Sequence, residues 1–222
     1  MPTHDDADQL YKQAVEAAGR GDYPQATTLF EHALTLYQTL PNTQRDQAKC
    51  LFYLANTLSK LDKLAQAESH YRQALTLYQD IPNTEEHQAT CLYNLATILA
   101  TRGKLADAEP YYHQALTLYQ DIPNTEEHQA DCLKNLVSTL WMLGQPADAE
   151  PYYRQALTLY QTLPNTQRDQ ATCLYNLANT LSKLDKLAQA ESHYHQATTP
   201  YSNITETEHD KATCQHNIAT PM

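Results

Sequence analysis

Apolar positions along the chain fall into pairs of helical stretches, and residues 84–124 show one pair in full. The first stretch spaces its apolar residues three and four positions apart, as one face of an amphipathic helix does: Ala89, Leu92, Leu95, Ala96 and Leu99. The second stretch has the same spacing at Ala108, Tyr112, Ala115, Leu116 and Tyr119. Gly103 lies between the two, where a tight turn needs a permissive backbone, and Pro123 ends the second stretch. The pattern predicts a helical hairpin.

The hairpin pattern returns at a constant interval along the chain. The five cysteines are spaced 41 residues apart, at Cys50, Cys91, Cys132, Cys173 and Cys214. The segment Ala-Leu-Thr-Leu-Tyr-Gln begins at Ala33, Ala74, Ala115 and Ala156, and an altered copy begins at Ala197. A period of roughly 20–50 residues is the signature of stacked supersecondary units. It predicts first helices near residues 5–20, 44–61, 85–102, 126–143 and 167–184.

Three sets of positions in each unit carry a family resemblance. A small residue stands in the middle of each first helix, at Ala14, Ala55, Ala96, Val137 and Ala178. Two alanines of each second helix flank an aromatic residue, which is Phe30, Tyr71, Tyr112, Tyr153 or Tyr194. At these positions the chain resembles the tetratricopeptide repeat, and its longer unit is similar to the kinesin light chain type. The resemblance implies an all-α fold, a right-handed α-solenoid of five helical hairpins plus a C-terminal single helix.

The resemblance also implies a single array over residues 1–222. Its repeats are about 5–40, 44–81, 85–122, 126–163 and 167–201, with a terminal helix at about 205–219. Asp62 and Asp185 stand in place of the turn glycine. Pro110 and Pro151 lie inside second helices, where we expect a mild bend or one lost hydrogen bond near the helix start. Thr84 and Thr125 follow the Pro-Asn turns, and we expect their side chains to cap the next helices.

Charge excludes several classes of partner. Lys and Arg together number 15 against 26 for Asp and Glu, which gives a formal net charge of −11. This balance argues against nucleic acid, whose recognition depends on neutralising phosphates, and against an anionic membrane surface. The N-terminal residues contain no apolar run, and no stretch of the chain is long and apolar enough to span a bilayer. We therefore expect a cytoplasmic protein.

No motif in the sequence indicates catalysis, a cofactor or a metal site. The chain has no glycine-rich phosphate loop, no H-E-x-x-H and no G-x-S-x-G. The cysteines lie in apolar helical segments without any C-x-x-C pair, so we expect them to pack as small buried residues. His193 and His195 diverge by about 200° on a helix, and His87 and His128 are expected to be solvated. We predict that the protein is not an enzyme.

Recognition of a peptide is the better-supported function. The resemblance implies that first helices line a concave groove and that residues just after each cysteine face it. The candidate peptide-binding residues are Tyr53, Asn56, Tyr93, Asn94, Lys134, Asn135, Ser138, Tyr175, Asn176 and Asn179. An asparagine can bind the backbone of an extended peptide, and aromatic neighbours can hold its side chains. In the alternative interpretation, Asn94, Asn135 and Asn176 bond only to the adjacent helix.

The charge of the groove predicts an acidic peptide. The inferred groove positions carry five lysines against two aspartates: Lys12, Lys49, Lys60, Lys134 and Lys183, with Asp8 and Asp131. A positive groove on a negative chain favours an acidic ligand. Trp141 either fills a bend beside Leu140 or is an exposed anchor in this groove.

We therefore predict a scaffold that binds a protein or peptide partner in the groove. One alternative is a homo-oligomerising or architectural array, and another is a sensor arm detached from an effector domain. The sequence leaves the oligomeric state open.

Overall fold

The computed structural model describes residues 2–202, with side chains for residues 2–198. Within this range it contains ten α-helices and no β-strand. The helices are α1 His4–Gly19, α2 Tyr23–Thr39, α3 Gln44–Lys60, α4 Leu64–Gln79, α5 Glu85–Thr101, α6 Leu105–Gln120, α7 Glu126–Met142, α8 Pro146–Thr162, α9 Gln167–Lys183 and α10 Leu187–Ser202. The predicted all-α repeat solenoid is confirmed. The predicted terminal helix at about 205–219 lies outside the described residues, as does Cys214.

The chain divides into two compact units, Met1–Leu118 and Tyr119–Met222, and each is described by itself. Alanines let the helices of a hairpin approach closely, and Ala14, Ala55 and Ala96 are fully buried. Tyrosines such as Tyr112 fill the space between the helices and are buried with them. That all 222 residues form a single array stays a prediction.

The prediction that the Thr84 and Thr125 side chains cap the next helices is wrong. Both residues occupy the N-cap position, but neither hydroxyl caps its helix. Instead, Thr84 Oγ1 donates to the carbonyl of Tyr78 at 2.6 Å, and Thr125 Oγ1 donates to the carbonyl of Tyr119 at 2.5 Å. The Pro-Asn turn brings the hydroxyl back onto the end of the preceding helix, where carbonyls lack helical partners.

A glutamine four residues later completes this contact. Gln88 Nε2 lies 3.2 Å from the Tyr78 carbonyl, and Gln129 Nε2 lies 3.2 Å from the Tyr119 carbonyl. The same threonine–glutamine pair recurs on the carbonyls of Tyr37 and Tyr160, with Thr43, Gln47, Thr166 and Gln170. We call each set of tyrosine carbonyl, threonine and glutamine a repeat joint.

Aspartates replace glycine in two of the turns between helices, and two prolines lie inside helices. Asp62 and Asp185 have φ of 57° and 55°, the left-handed conformation that Gly103 adopts with φ of 76°. A residue with a Cβ is strained there, and aspartate tolerates it better than most. Helices α6 and α8 continue through Pro110 and Pro151.

The cysteines are packing residues. The four described cysteines are free thiols and all are buried. Cys50 Sγ donates to the carbonyl of Phe30 at 3.1 Å, and Cys173 Sγ donates to the carbonyl of Tyr153 at 3.3 Å. Burial raises the pKa of Cys50, Cys91 and Cys173 to about 12. These thiols are therefore protonated and unreactive at neutral pH.

Candidate functional site

The first unit has a cleft of about 440 Å³ on its first helices. We call it the first-unit cleft; Tyr11, Phe52 and Tyr53 form its aromatic wall, and its charged lining is Asp8, Lys12, Asp46 and Lys49. The Tyr53 ring packs edge-on against Tyr11 with ring centroids 5.9 Å apart, and Tyr53 remains 40% exposed. The wall is therefore both ordered by packing and open to a ligand.

The two carboxylates of the first-unit cleft already have partners. Tyr37 Oη donates to Asp8 Oδ1 at 2.7 Å. His4 lies between the carboxylates, with Nδ1 3.3 Å from Asp8 and Nε2 3.3 Å from Asp46. These contacts tie α1 to α2 and α3.

Two candidate asparagines of the first unit bond to each other. Asn94 Nδ2 donates to Asn56 Oδ1 at 3.5 Å, and Tyr71 Oη donates to the same oxygen. Tyr93 packs against Tyr112 with ring centroids 6.0 Å apart. For Asn94 the structure thus agrees with the alternative interpretation, in which the amide bonds to a neighbouring helix.

The second unit has a cleft of about 310 Å³ between α7, α8 and α9. We call it the second-unit cleft; its polar lining is Lys134, Ser138, Asp169, Thr172, Asn176 and Asn179, and Trp141 forms one wall. Lys183 Nζ lies 4.1 Å from the centroid of the Trp141 ring. Trp141 is half-buried and lines the cleft, and a role as an exposed anchor stays a prediction.

Asn176 differs from Asn94 in its bonding. Asn176 lines the second-unit cleft, and its side-chain amide has no hydrogen-bond partner among the described residues. Ser138 is the repeat counterpart of Asn56, which lies 82 residues earlier in the first unit. Because serine is shorter than asparagine, it does not reach the Asn176 amide as Asn56 reaches Asn94. The amide is left available to a ligand.

The ten predicted site residues all keep some exposure to solvent. Four of them line the second-unit cleft: Lys134, Ser138, Asn176 and Asn179. Tyr53 alone among them lines the first-unit cleft. Tyr175 packs against Tyr194 with ring centroids 5.8 Å apart, and Asn135 is half-buried. Five of the ten predicted residues therefore line a cleft, and the other five are not among the lining residues of either.

The excess of positive charge in the groove is smaller than the sequence-based count of five lysines against two aspartates predicts. Asp46 and Asp169 also line the clefts, and Lys134 Nζ lies 2.8 Å from Asp131 Oδ1. Both aspartates are in the first turn of a helix, and the sequence-based count of groove charges did not include them. Their spacing of three residues before Lys49 and Thr172 could have revealed that they share a helix face with the cleft.

The described residues show neither a metal cluster nor a membrane-spanning helix. Residues 2–202 contain no group of three or more His, Cys, Asp and Glu side chains that could hold a metal ion. His87 and His128 are exposed, as expected. No described helix combines the length and the apolar character needed to cross a membrane.

Comparisons with known proteins agree on the repeat. A family model described as tetratricopeptide repeat matches residues 17–80 and 87–162, and a second such model matches residues 170–199. A search of curated proteins finds no significant match. Among solved structures, BtubC (BKLC) from P. vanneervenii is similar with a TM-score of 0.73 and 22% identity, over 92% of this chain and 83% of that one.

Two further structures share the fold. The putative kinesin light chain repeats of Podosopora anserina have a TM-score of 0.72 and 13% identity, over 93% of this chain and 100% of that one. The apo form of RapI has a TM-score of 0.75 and 12% identity, over 92% of this chain and 73% of that one. At these identities the likeness concerns the fold alone.

Proposed function

The chain belongs to the tetratricopeptide repeat family, and on that basis we propose that it is a non-enzymatic scaffold that binds an extended peptide segment of a partner protein. The peptide lies on the first helices, against the residues that line the clefts. Family membership supports an interaction scaffold. The clefts support a peptide as the part of the partner that is bound.

One observation carries the proposal: the unpaired amide of Asn176 in the second-unit cleft. A half-buried amide without a partner in the protein can exchange its hydrogen bonds to water for hydrogen bonds to a ligand. A peptide backbone offers both a donor and an acceptor, so it satisfies both ends of the amide regardless of the peptide sequence. Ser138 and Asn179 line the same cleft and offer further polar groups to the peptide.

The charge of the peptide is less well supported. Lys183 stacks on Trp141, and no carboxylate pairs with it in the described part of the chain, which favours an acidic ligand. Asp169 lines the same cleft and has the opposite effect. An acidic peptide therefore stays a prediction, and at this cleft we expect only a weak dependence of affinity on salt.

Selection of binders from a displayed random peptide library, with the full chain as the target, tests the proposal. Peptides should be enriched, and Asn176→Ala should weaken their binding about tenfold, because a backbone hydrogen bond is lost. Ser138→Asn should also weaken binding, because it supplies the Asn176 amide with the internal partner that Asn94 has. Gln155→Ala, at an exposed position of α8 that does not line the cleft, is the control and should leave binding unchanged.

Two outcomes contradict the proposal. If no peptide is enriched, the scaffold does not recognise extended peptides by itself. If peptides are enriched but bind Asn176→Ala and Gln155→Ala equally well, the second-unit cleft is not their site. Light scattering of the same samples tests the homo-oligomerising alternative, which predicts a mass above that of one chain.

A further inference from the structure

A cluster of cations in the first unit lies apart from the clefts. Glu68 in α4 accepts hydrogen bonds from Arg72 Nη2 at 3.2 Å, from Lys104 Nζ at 3.4 Å and from Arg102 Nη1. No other carboxylate lies within 4.0 Å of these three cations in residues 2–202. Three positive charges thus converge on one negative charge, in a chain whose net charge is −11.

The cations are more exposed than the carboxylate that holds them. The Glu68 side chain is 12% exposed, whereas those of Arg72 and Lys104 are 44% and 40% exposed. A guanidinium has five N–H donors and an ammonium has three, so the two oxygens of Glu68 use only part of the donors present. Because Arg72 and Lys104 are this exposed, a ligand in solution can reach the side chains that carry unused donors.

Arg72 is held in place before any ligand arrives. Its Nη1 donates to Tyr111 Oη at 2.6 Å, and its guanidinium carbon lies 5.4 Å from the centroid of the Tyr111 ring. Its Nε and Nη2 both donate to Glu68 Oε1. Ordering of this kind lowers the entropy lost on binding.

We propose that Arg72, Arg102 and Lys104 form a binding site for a tetrahedral oxyanion of the phosphate class, carried by free phosphate or by a phosphorylated side chain. The guanidinium fork matches the oxygens of such an anion, and the ammonium adds a point charge. One dianion balances the two positive charges that Glu68 leaves uncompensated. The site is separate from the peptide-binding clefts, so it does not depend on the proposed function.

The second unit holds a smaller version of the same cluster. Glu150 accepts hydrogen bonds from Arg154 Nη2 at 2.9 Å and from Lys186 Nζ at 2.6 Å. Arg154 and Lys186 stand 82 residues after Arg72 and Lys104, but Leu184 stands at the position of Arg102. The chain therefore contains a matched cluster with one cation fewer.

Nuclear magnetic resonance of the isotope-labelled full chain tests the proposal. Sodium phosphate should produce saturable amide shifts around Glu68 and Tyr111, and sodium chloride at the same ionic strength should not. Arg102→Leu, which copies the second cluster, should weaken phosphate binding about tenfold, because a charge-assisted hydrogen bond is lost. Leu184→Arg should strengthen phosphate binding at Glu150.

A second arm with a phosphoserine peptide separates the two sources of the anion. Tighter binding of the peptide than of free phosphate supports a phosphorylated partner, and equal binding supports free phosphate. Circular dichroism checks that both variants remain helical. Absence of saturable phosphate shifts, or equal affinity of the original chain and the folded Arg102→Leu variant, overturns the proposal and leaves the cluster as an internal brace.

Discussion

Residues 54–71 in the first unit and residues 177–194 in the second have the same sequence but different surroundings. Glu68 is 12% exposed and contacts three cations, whereas its counterpart Glu191 is 64% exposed and lies 3.9 Å from His195. Arg102 and Lys104, which follow α5, provide two of the cations around Glu68. The environment of Glu68 thus depends on the following repeat as well as on its own.

The preceding repeat has a comparable influence. Lys183 lies over the ring of Trp141, which is 42 residues earlier. Lys60 is the counterpart of Lys183, and the residue 42 positions before it is Ala18. One substitution in a neighbouring repeat therefore gives the same lysine a cation–π partner in one unit and none in the other. The contacts of a side chain in such an array are therefore determined by pairs of neighbouring repeats rather than by single repeats.

The largest expected effect concerns the two glutamates. Glu68→Ala removes the carboxylate from among three cations, so we expect the free energy of unfolding to fall by about 1–2 kcal/mol. Glu191→Ala removes an exposed side chain and should change it by less than about 0.5 kcal/mol. Urea denaturation of both variants measures the difference. Equal losses would mean that the following repeat contributes nothing to the role of Glu68.

An intermediate effect concerns the two lysines. Lys183→Ala removes the cation–π contact and should cost about 0.5–1 kcal/mol, whereas Lys60→Ala should be close to neutral. Trp141 is the only tryptophan of the chain, so its fluorescence reports the contact directly. The emission should change in Lys183→Ala alone. A similar emission change in both variants would show that the change does not come from a contact between Lys183 and the Trp141 ring.

The smallest effect concerns His70 and His193, which are counterparts with a buried, unpartnered Nδ1. Burial lowers the pKa of both; a negative charge on Glu31 opposes the shift at His70, whereas Arg154 reinforces it at His193. A histidine with a lowered pKa in the folded state binds protons more readily when unfolded. Its contribution to stability is therefore present above about pH 6.5 and is lost as the pH falls below that value.

We therefore expect acid to destabilise the protein partly through these histidines. His193→Gln should remove a few tenths of a kcal/mol from the loss of stability between neutral and mildly acidic pH, and His70→Gln should remove less. Denaturation at several pH values measures this. A larger effect for His70→Gln would show that the charges on Glu31 and Arg154 do not distinguish the two sites.

The sequence predicts the helices well because each structural position recurs in every one of the five repeats. The period, the buried alanines and the Pro-Asn turns all agree, so errors at single positions do not matter. The site is harder to predict, because several of its contacts join different repeats. The bond between Asn94 and Asn56, the lack of one between Asn176 and Ser138, and the contact of Lys183 with Trp141 depend on which residues become neighbours.

The threonine caps show the same limit on a smaller scale. Thr84 and Thr125 carry a sound local signal for a capping residue, and they do stand at the N-cap position. Their hydroxyls nevertheless bond to the helix before them, because the turn brings a carbonyl within 2.6 Å of Thr84. Local preference identifies where the helix begins, and the turn geometry decides which partner the hydroxyl takes.

The repeat joints have a consequence for how the chain can evolve. Four joints use the same three groups, with Tyr37, Tyr78, Tyr119 and Tyr160 providing the carbonyl. A genetic deletion or duplication of one 41-residue unit therefore leaves every remaining joint with its own threonine and glutamine. Lineages can lengthen or shorten the protein in whole units, without compensating mutations at the new boundary.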